Sequence, residues 1–349
     1  MFIDYLKKNL GWVIPVAAVL VTFIICVVFL LGSRVSTPQE KVYIYISPNT
    51  SKTELVSKIK SQDIVFNSFA FDILSKVFRY NKVYSGRYEL KDGMSLVMMI
   101  NKLAHREQSP VRLVINKFRT KQEFAEFISN NLSINKDSML IKLNDNEILK
   151  EYGLDSTTSL SLIIPNTYEI YWDISCEDFV KRMNKEQEKF WSKRLSKLKE
   201  SGLTKLQVLT IASIVEEETN MNKEKSRVAG VYINRLNKGM PLQADPTIKF
   251  AIGDFTIKRV AGDMLDIDSP YNTYRNIGLP PGPICVASIT TIDAVLNYER
   301  HNFLYFCARE DFSGYHNFAV DFDSHINNAR RYQRALNALG IEKAEIQEN

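Results

Sequence analysis

Apolar and polar positions change their spacing several times along the chain, and each change marks an element. From Trp12 to Leu31 every position is apolar except Pro15 and Thr22. At ~1.5 Å per residue this run matches a ~30 Å hydrocarbon core. Residues 33–41 read as a polar linker. Val42-Tyr43-Ile44-Tyr45-Ile46 alternates β-branched and aromatic side chains, which predicts a strand. Ser51, with Glu54 three residues on, is a capping box that opens a helix to about Ile59. A second, aromatic-rich helix follows over 66–78, then a turn and strand over 85–90 and an apolar helix over 95–103. These elements form a small α+β unit of their own.

Beyond it, residues 111–115 predict a strand. Thr120 and Glu123 cap a helix carrying Phe124, Phe127 and Ile128 on one face, and a short helix lies near Ser138. Residues 161–168 start apolar and stop at a Pro165-Asn166 turn. Residues 177–197 read as one long, highly charged helix, a solvated surface element. Thr204 and Gln207 cap a helix running to about Thr219, and a helix over 223–238 stops at Gly239. Residues 241–285, rich in Pro, Gly, Asp, Asn and Tyr with little periodicity, read as one long loop, either functional or disordered. A helix over 288–297, strands over 303–308 and 315–320, and a closing helix over 323–339 complete an α+β chain.

Composition narrows the partners. Forty-five basic residues against 40 acidic ones give a formal charge of +5, too mild to argue for nucleic acid. Cys26, Cys176, Cys285 and Cys307 are widely spaced with no C-x-x-C, and no H-E-x-x-H, P-loop or G-x-G-x-x-G motif occurs. Neither a metal site nor a cofactor is expected. His316 and His325 read as ordinary hydrogen-bonding residues. The apolar run is long for a signal peptide, and residues 32–35 offer no clean cleavage site, so a retained anchor is expected. Lys7 and Lys8 precede it, leaning towards a cytoplasmic N-terminus with everything after Leu31 exported. The implied layout is a cytoplasmic N-terminus over 1–11, a transmembrane anchor over 12–32 and a linker over 33–41. A subdomain over 42–106 and a larger domain over 107–345 follow.

Candidate chemistry concentrates at Glu216-Glu217-Glu218, where an apolar helix ends in three carboxylates. The helix macrodipole favours cations there, so the arrangement breaks a local rule, as functional sites do. At about 100° per residue, Glu218 falls among Ile211, Ile214 and Val215. Desolvation, two like charges and the helix end should all raise its pKa, as suits a carboxylic acid that donates a proton. The competing reading exposes all three acids and pairs them with Lys223, Lys225 or Arg227. Three loop segments, Pro241–Thr247, Ser269–Tyr274 and Gly278–Ile284, supply the amides, hydroxyls and aromatic faces of a sugar-binding cleft.

Taken in order, these stretches resemble the YceG-like family of endolytic murein transglycosylases. The resemblance rests on A-S-I-V-E-x-E-T at Ala212–Thr219, V-x-x-V-x-I-N-R-L at Val228–Leu236 and G-M-x-L-Q-x-D-P-T at Gly239–Thr247. Y-N-T-Y at Tyr271–Tyr274, G-L-P-P-G-x-I at Gly278–Ile284 and His316-x-Phe318 follow. Residues 88–96 more weakly resemble a LysM-type glycan-binding unit. The resemblance implies Glu218 as the catalytic acid/base of a membrane-anchored lytic transglycosylase. Such an enzyme cuts the N-acetylmuramic acid–N-acetylglucosamine bond of new peptidoglycan strands, leaves 1,6-anhydro ends and terminates elongation at the plasma (inner) membrane. Glycan strands, the membrane and peptidoglycan synthases are the implied partners. Glu216, Gln243, Asp245, Asn272, Tyr274 and Asn166 are candidates for holding sugar. Asn166 stands where the family often has Asp, so it binds or structures rather than ionises. A hydrolase using water, with Glu216 or Asp245 as second carboxylate, and a non-catalytic glycan-binding anchor are the alternatives.

Overall fold

The computed structural model describes residues 10–338. Lys7 and Lys8, most of the expected cytoplasmic N-terminus, and the last residues of the expected closing helix and 107–345 domain lie outside them. The helices are α1 (Leu10–Gly32), α2 (Lys52–Lys60), α3 (Ser68–Val77), α4 (Leu96–Ala104), α5 (Lys121–Asn131), α6 (Lys136–Asn144) and α7 (Asn146–Lys150). They continue with α8 (Cys176–Ser192), α9 (Leu195–Ser201), α10 (Lys205–Glu218), α11 (Lys225–Asn237), α12 (Asp245–Ile252), α13 (Ile289–Leu296) and α14 (Phe322–Ala338). The strands are β1 (Lys41–Ile46), β2 (Gly86–Lys91), β3 (Val111–Ile115), β4 (Asn166–Ile170), β5 (Tyr305–Ala308) and β6 (His316–Ala319). They make three two-stranded sheets, β1 with β2, β3 with β4 and β5 with β6. The fold is α+β, as the alternating patterns predict.

Two compact units emerge: residues up to 113 with 131–133 and 169–174, and residues 114–130, 134–168 and 175 onward. In the first, α1 is the one helix among the described residues long and apolar enough to cross a membrane. Its only hydroxyl, on Thr22, donates to the Ala18 carbonyl at 2.8 Å, which satisfies it without water. β1 and β2 pair antiparallel, from Lys41 opposite Lys91 to Ile46 opposite Gly86. Their alternation turns Ile44, Ile46, Tyr88 and Leu90 inward, against Leu55 and Ile59 of α2, Phe71 and Leu74 of α3, and Met99 and Leu103 of α4. The Ser51 box opens α2 as its spacing predicts.

In the second unit α10 runs through the middle of the core. Every residue from Val208 to Val215 is buried, so the helix is covered all round rather than on one face. Around it pack Val228, Ala229 and Tyr232 of α11, Leu242, Ala244, and Ile292 and Val295 of α13.

Three local expectations change. Asn166 begins β4 instead of a turn. The charged segment over 177–197 is two helices, and α8 buries Phe179, Val180, Met183, Phe190 and Trp191, so it is a half-buried wall. The long loop over 241–285 contains α12, with Pro246 in its first turn and Gly253 at φ 79° ending it. Those Pro and Gly signals were visible in the sequence, but eight residues are too few for periodicity to show.

Candidate active site

α10 begins with a complete capping box: Gln207 N donates to Thr204 Oγ1 at 3.2 Å, and Thr204 N donates to Gln207 Oε1 at 2.8 Å. It ends at Thr219, whose extended backbone and hydroxyl, accepting from Met221 N at 3.0 Å, stop the helix directly after the third carboxylate. No basic residue occupies the last turn. The three glutamates nevertheless find three different environments.

Glu216 accepts from Lys225 Nζ at 3.1 Å, from Ser288 Oγ at 2.9 Å and from Thr291 Oγ1. Burial alone would raise its pKa, but the hydrogen bonds and the ammonium hold it below the ordinary carboxylate range. Glu217 takes both arms of the Arg119 guanidinium at 2.9 Å and Lys117 Nζ at 2.8 Å. Burial again opposes, and the two cations again win, so its pKa is also lowered. Lys225 matches one partner named from sequence. Arg227 instead pairs with Glu299 at 3.0 Å, and the cations of Glu217 come from before α5, where local spacing gives no hint of them.

Glu218 has no ion pair among the described residues. It accepts one hydrogen bond, from Tyr232 Oη at 2.7 Å. Burial is the largest influence and pushes its pKa up to about 7; the Tyr232 bond opposes this, and the Asp245 carboxylate adds to it. Burial followed by the Glu218 charge raises the Tyr232 phenol well above its usual value, so it stays a donor.

Glu218 opens onto a cavity of about 320 Å³ lined by Tyr232, Arg235, Leu242, Gln243, Asp245, Tyr274, Tyr305, Phe306 and His325. The loop motifs build this cavity by locking onto one another. Asn272 is fully buried; its amide donates to the Leu265 and Ile267 carbonyls at 2.8 and 2.9 Å, and its oxygen accepts from Tyr274 N at 3.0 Å. Thr273 Oγ1 accepts from Ala244 N at 3.0 Å, and Gln243 N donates to Thr273 O at 3.0 Å. The Tyr271–Tyr274 and Pro241–Thr247 motifs are therefore one interlocked structure that aims Tyr274, Gln243 and Asp245 into the cavity, with the Tyr274 hydroxyl bonded to Asp245 Oδ1. Gln243 sits at φ 52°, a left-handed conformation costly for a side-chain-bearing residue. Ser213 Oγ accepts from Ile284 N at 2.9 Å, tying the Gly278–Ile284 motif to α10. Gly230 lets α11 approach closely, since a Cβ there would lie 2.4 Å from the Glu299 carbonyl.

Of the residues singled out from sequence, the cavity brings together Glu218, Gln243, Asp245 and Tyr274. It does not include Glu216, held by Lys225 and Thr291, or Asn272, whose polar atoms are spent inside its loop. Nor does it include Asn166, which lines a separate hollow with Phe190, Lys189 and Lys193. His316 is structural: its ring faces the buried Glu224 carboxylate at 3.0 Å. Sequence reasoning missed Tyr232, Arg235, Tyr305 and His325. The first two lie three apart on α11 inside a recognised motif, and that i, i+3 spacing was the available signal.

Comparison with known proteins places the chain among relatives. The YceG-like family model matches residues 44–331. An endolytic murein transglycosylase of Bacillus subtilis is 31% identical over 304 residues, covering 81% of this chain and 84% of its own. An endolytic murein transglycosylase of Streptococcus pneumoniae is 27% identical over 76% of this chain and 54% of its own length. The crystal structure of a YceG-like protein from Listeria monocytogenes aligns with a TM-score of 0.56 at 27% identity, over 83% of this chain and 99% of that one. Both the extent of the family match and the 31% relative lead to one conclusion: the chain belongs to the YceG-like family.

Proposed function

We propose that the chain is an endolytic lytic transglycosylase of peptidoglycan, anchored in the plasma membrane by α1 with its N-terminus cytoplasmic. The observation that carries this reading is the isolation of Glu218. Two adjacent carboxylates are neutralised by cations, while the third faces a cavity with a pKa near 7 and a single phenol for a partner. A carboxyl poised there can serve as acid and then as base.

The protonated Glu218 donates to the oxygen linking muramic C1 to the next glucosamine, and the C1–O bond breaks. The resulting carboxylate takes the proton of the muramic C6 hydroxyl, and O6 bonds to C1. The products are a 1,6-anhydro end and a free glucosamine hydroxyl, with Glu218 protonated again. The substrate's own acetamido group assists at C1. Water takes no part, so one carboxylate suffices, whereas glycosidases usually need two. Tyr274, Asp245 and Gln243 hold the sugars; Glu216 keeps the helix end in place. Cutting inside nascent strands would terminate elongation beside the synthases that make them.

Residues 42–106 are a LysM-like glycan-binding unit in this reading, which the β1-α2-α3-β2 order and the antiparallel β1–β2 pair support. Residues 107–345 form the catalytic domain.

A hydrolase remains the second reading because Asp245, which accepts from the Tyr274 hydroxyl, lines the same cavity and would be the second carboxylate that activates water. Mass spectrometry of digested glycan strands separates the two. Anhydro ends, lighter by one water and absent with E218Q, support the lyase, and reducing muramic ends overturn it.

A further inference from the structure

Arg235 is the charged group of the cavity that the mechanism leaves unused. It is buried, at 7% exposure, and lines the cavity with Glu218. Its Nε donates to the Leu304 carbonyl at 2.7 Å. Its Nη1 donates to the Pro241 and Leu242 carbonyls at 3.1 and 2.9 Å and to Gln243 Oε1 at 3.1 Å. The Tyr305 ring lies 5.1 Å from the guanidinium carbon. No carboxylate pairs with it, although Asp245 shares the cavity, and Nη2 has no partner among the described residues. Buried cations are ordinarily paired, because an uncompensated one is costly. Here one nitrogen of a rigidly clamped fork is held ready for an acceptor that the chain does not provide.

The chemistry of the proposed reaction limits where that acceptor sits. Positive charge develops at muramic C1 when the glycosidic bond breaks. A fixed cation facing C1 would oppose it, so Arg235 must address an electron-rich group elsewhere on the sugar. The two sugars of the strand differ in one respect: muramic acid carries a D-lactyl group on O3, with an acyl oxygen, and glucosamine does not. We infer that Arg235 receives the acyl oxygen of the D-lactyl branch of the muramoyl residue and so sets the register in which muramic C1, not glucosamine C1, meets Glu218. This rests on the transglycosylase reading for its substrate but not for its test. Guanidinium is suited to the task because its planar fork can spend two nitrogens on protein carbonyls and still present a third.

Binding, without turnover, tests it. In the full-length E218Q protein, calorimetry compares a glucosamine–muramic acid tetrasaccharide without peptide stems, the same fragment with stems, and chitotetraose. E218Q should prefer both muramoyl fragments over chitotetraose, and adding R235Q should cut that preference about 10-fold while chitotetraose binding stays within about 2-fold. R235K, which retains the charge but not the fork, should fall between them and is the variant to read should R235Q fail to fold. Equal loss for all three glycans makes Arg235 purely structural and overturns the inference, as does an unchanged preference. A preference seen only with stems moves the acceptor into the peptide and overturns the lactyl assignment. Failure of the parent protein to release anhydro ends would instead sink the lyase reading while leaving this preference measurable.

Discussion

The two units bury different things. Among the described residues, Ser75 is the buried non-aromatic polar side chain of the first unit. The second buries Glu224, Lys225, Arg235, Thr247, Asn272, Thr273 and Thr291. One interior is an apolar clamp between a two-stranded antiparallel sheet and three helices. The other adds, to an apolar core of its own, charged and hydroxylic networks, which add little net stability but fix positions. The difference teaches where chemistry can be done. A carboxyl with a shifted pKa needs an interior that excludes water, and also neighbours already neutralised by others.

The sharpest way to break that contrast is to remove the one carboxyl the network leaves free. E218Q keeps the shape and the Tyr232 contact but cannot transfer a proton. Release of anhydro ends should fall more than about 1000-fold, with the melting temperature not lowered. Residual activity above a hundredth would move the acid/base elsewhere. In the first unit the matching lesion is Leu90→Ala, which empties a fully buried position of β2. It should cost about 2–5 kcal/mol in denaturant unfolding, while turnover of short glycan fragments by the remaining folded protein stays within about 2-fold.

The same contrast explains what the sequence revealed. The first unit obeys local rules, so alternation in Val42–Ile46 and the Ser51–Glu54 spacing located β1 and α2 to within a residue. In the second unit the helix wheel selected Glu218, because desolvation follows from the apolar neighbours of α10 itself. What it could not reach was partners set by tertiary contact. Lys117 and Arg119 lie about a hundred positions from Glu217, and Tyr305 and His325 come from β5 and α14. Asn272 looked like a sugar ligand because an amide reads the same whether it faces solvent or a loop's own carbonyls.

Two smaller effects sharpen the picture of Glu218. Burial raises its pKa from an ordinary value near 4.5 to about 7, so the folded protein disfavours the carboxylate. Below pH 4.5 both folded and unfolded chains are protonated and E218Q should match the parent in stability. Between about 4.5 and 7 the unfolded chain ionises first and the parent loses stability that E218Q keeps. At pH 8 the variant should be more stable by about 3 kcal/mol. Equal stability at pH 8 would mean the carboxylate is well solvated. Activity should likewise decline as pH rises above about 7, because the acid form is consumed. Y232F removes the bond that lowers this pKa. It should shift that alkaline limit upward and reduce kcat about 10-fold with KM little changed; an unmoved limit would confine Tyr232 to packing.

The finest comparison sets one device in each unit side by side. α2 and α10 both open with a capping box, built with Glu54 in one and Gln207 in the other. Ser51→Ala and Thr204→Ala should each cost about 1 kcal/mol near neutral pH. Their pH dependence should differ. The Ser51 backbone and side-chain hydrogen bonds lower the pKa of Glu54, so its share of the box is present above the ordinary value and is lost as pH falls through the lowered one. Gln207 does not titrate. Unfolding of Ser51→Ala and its parent should therefore converge partly at acid pH, whereas the gap for Thr204→Ala should hold constant. A constant gap for both would show that the carboxylate of Glu54 adds nothing beyond what a neutral amide supplies, and that the two helix starts are equivalent despite serving interiors built for different ends.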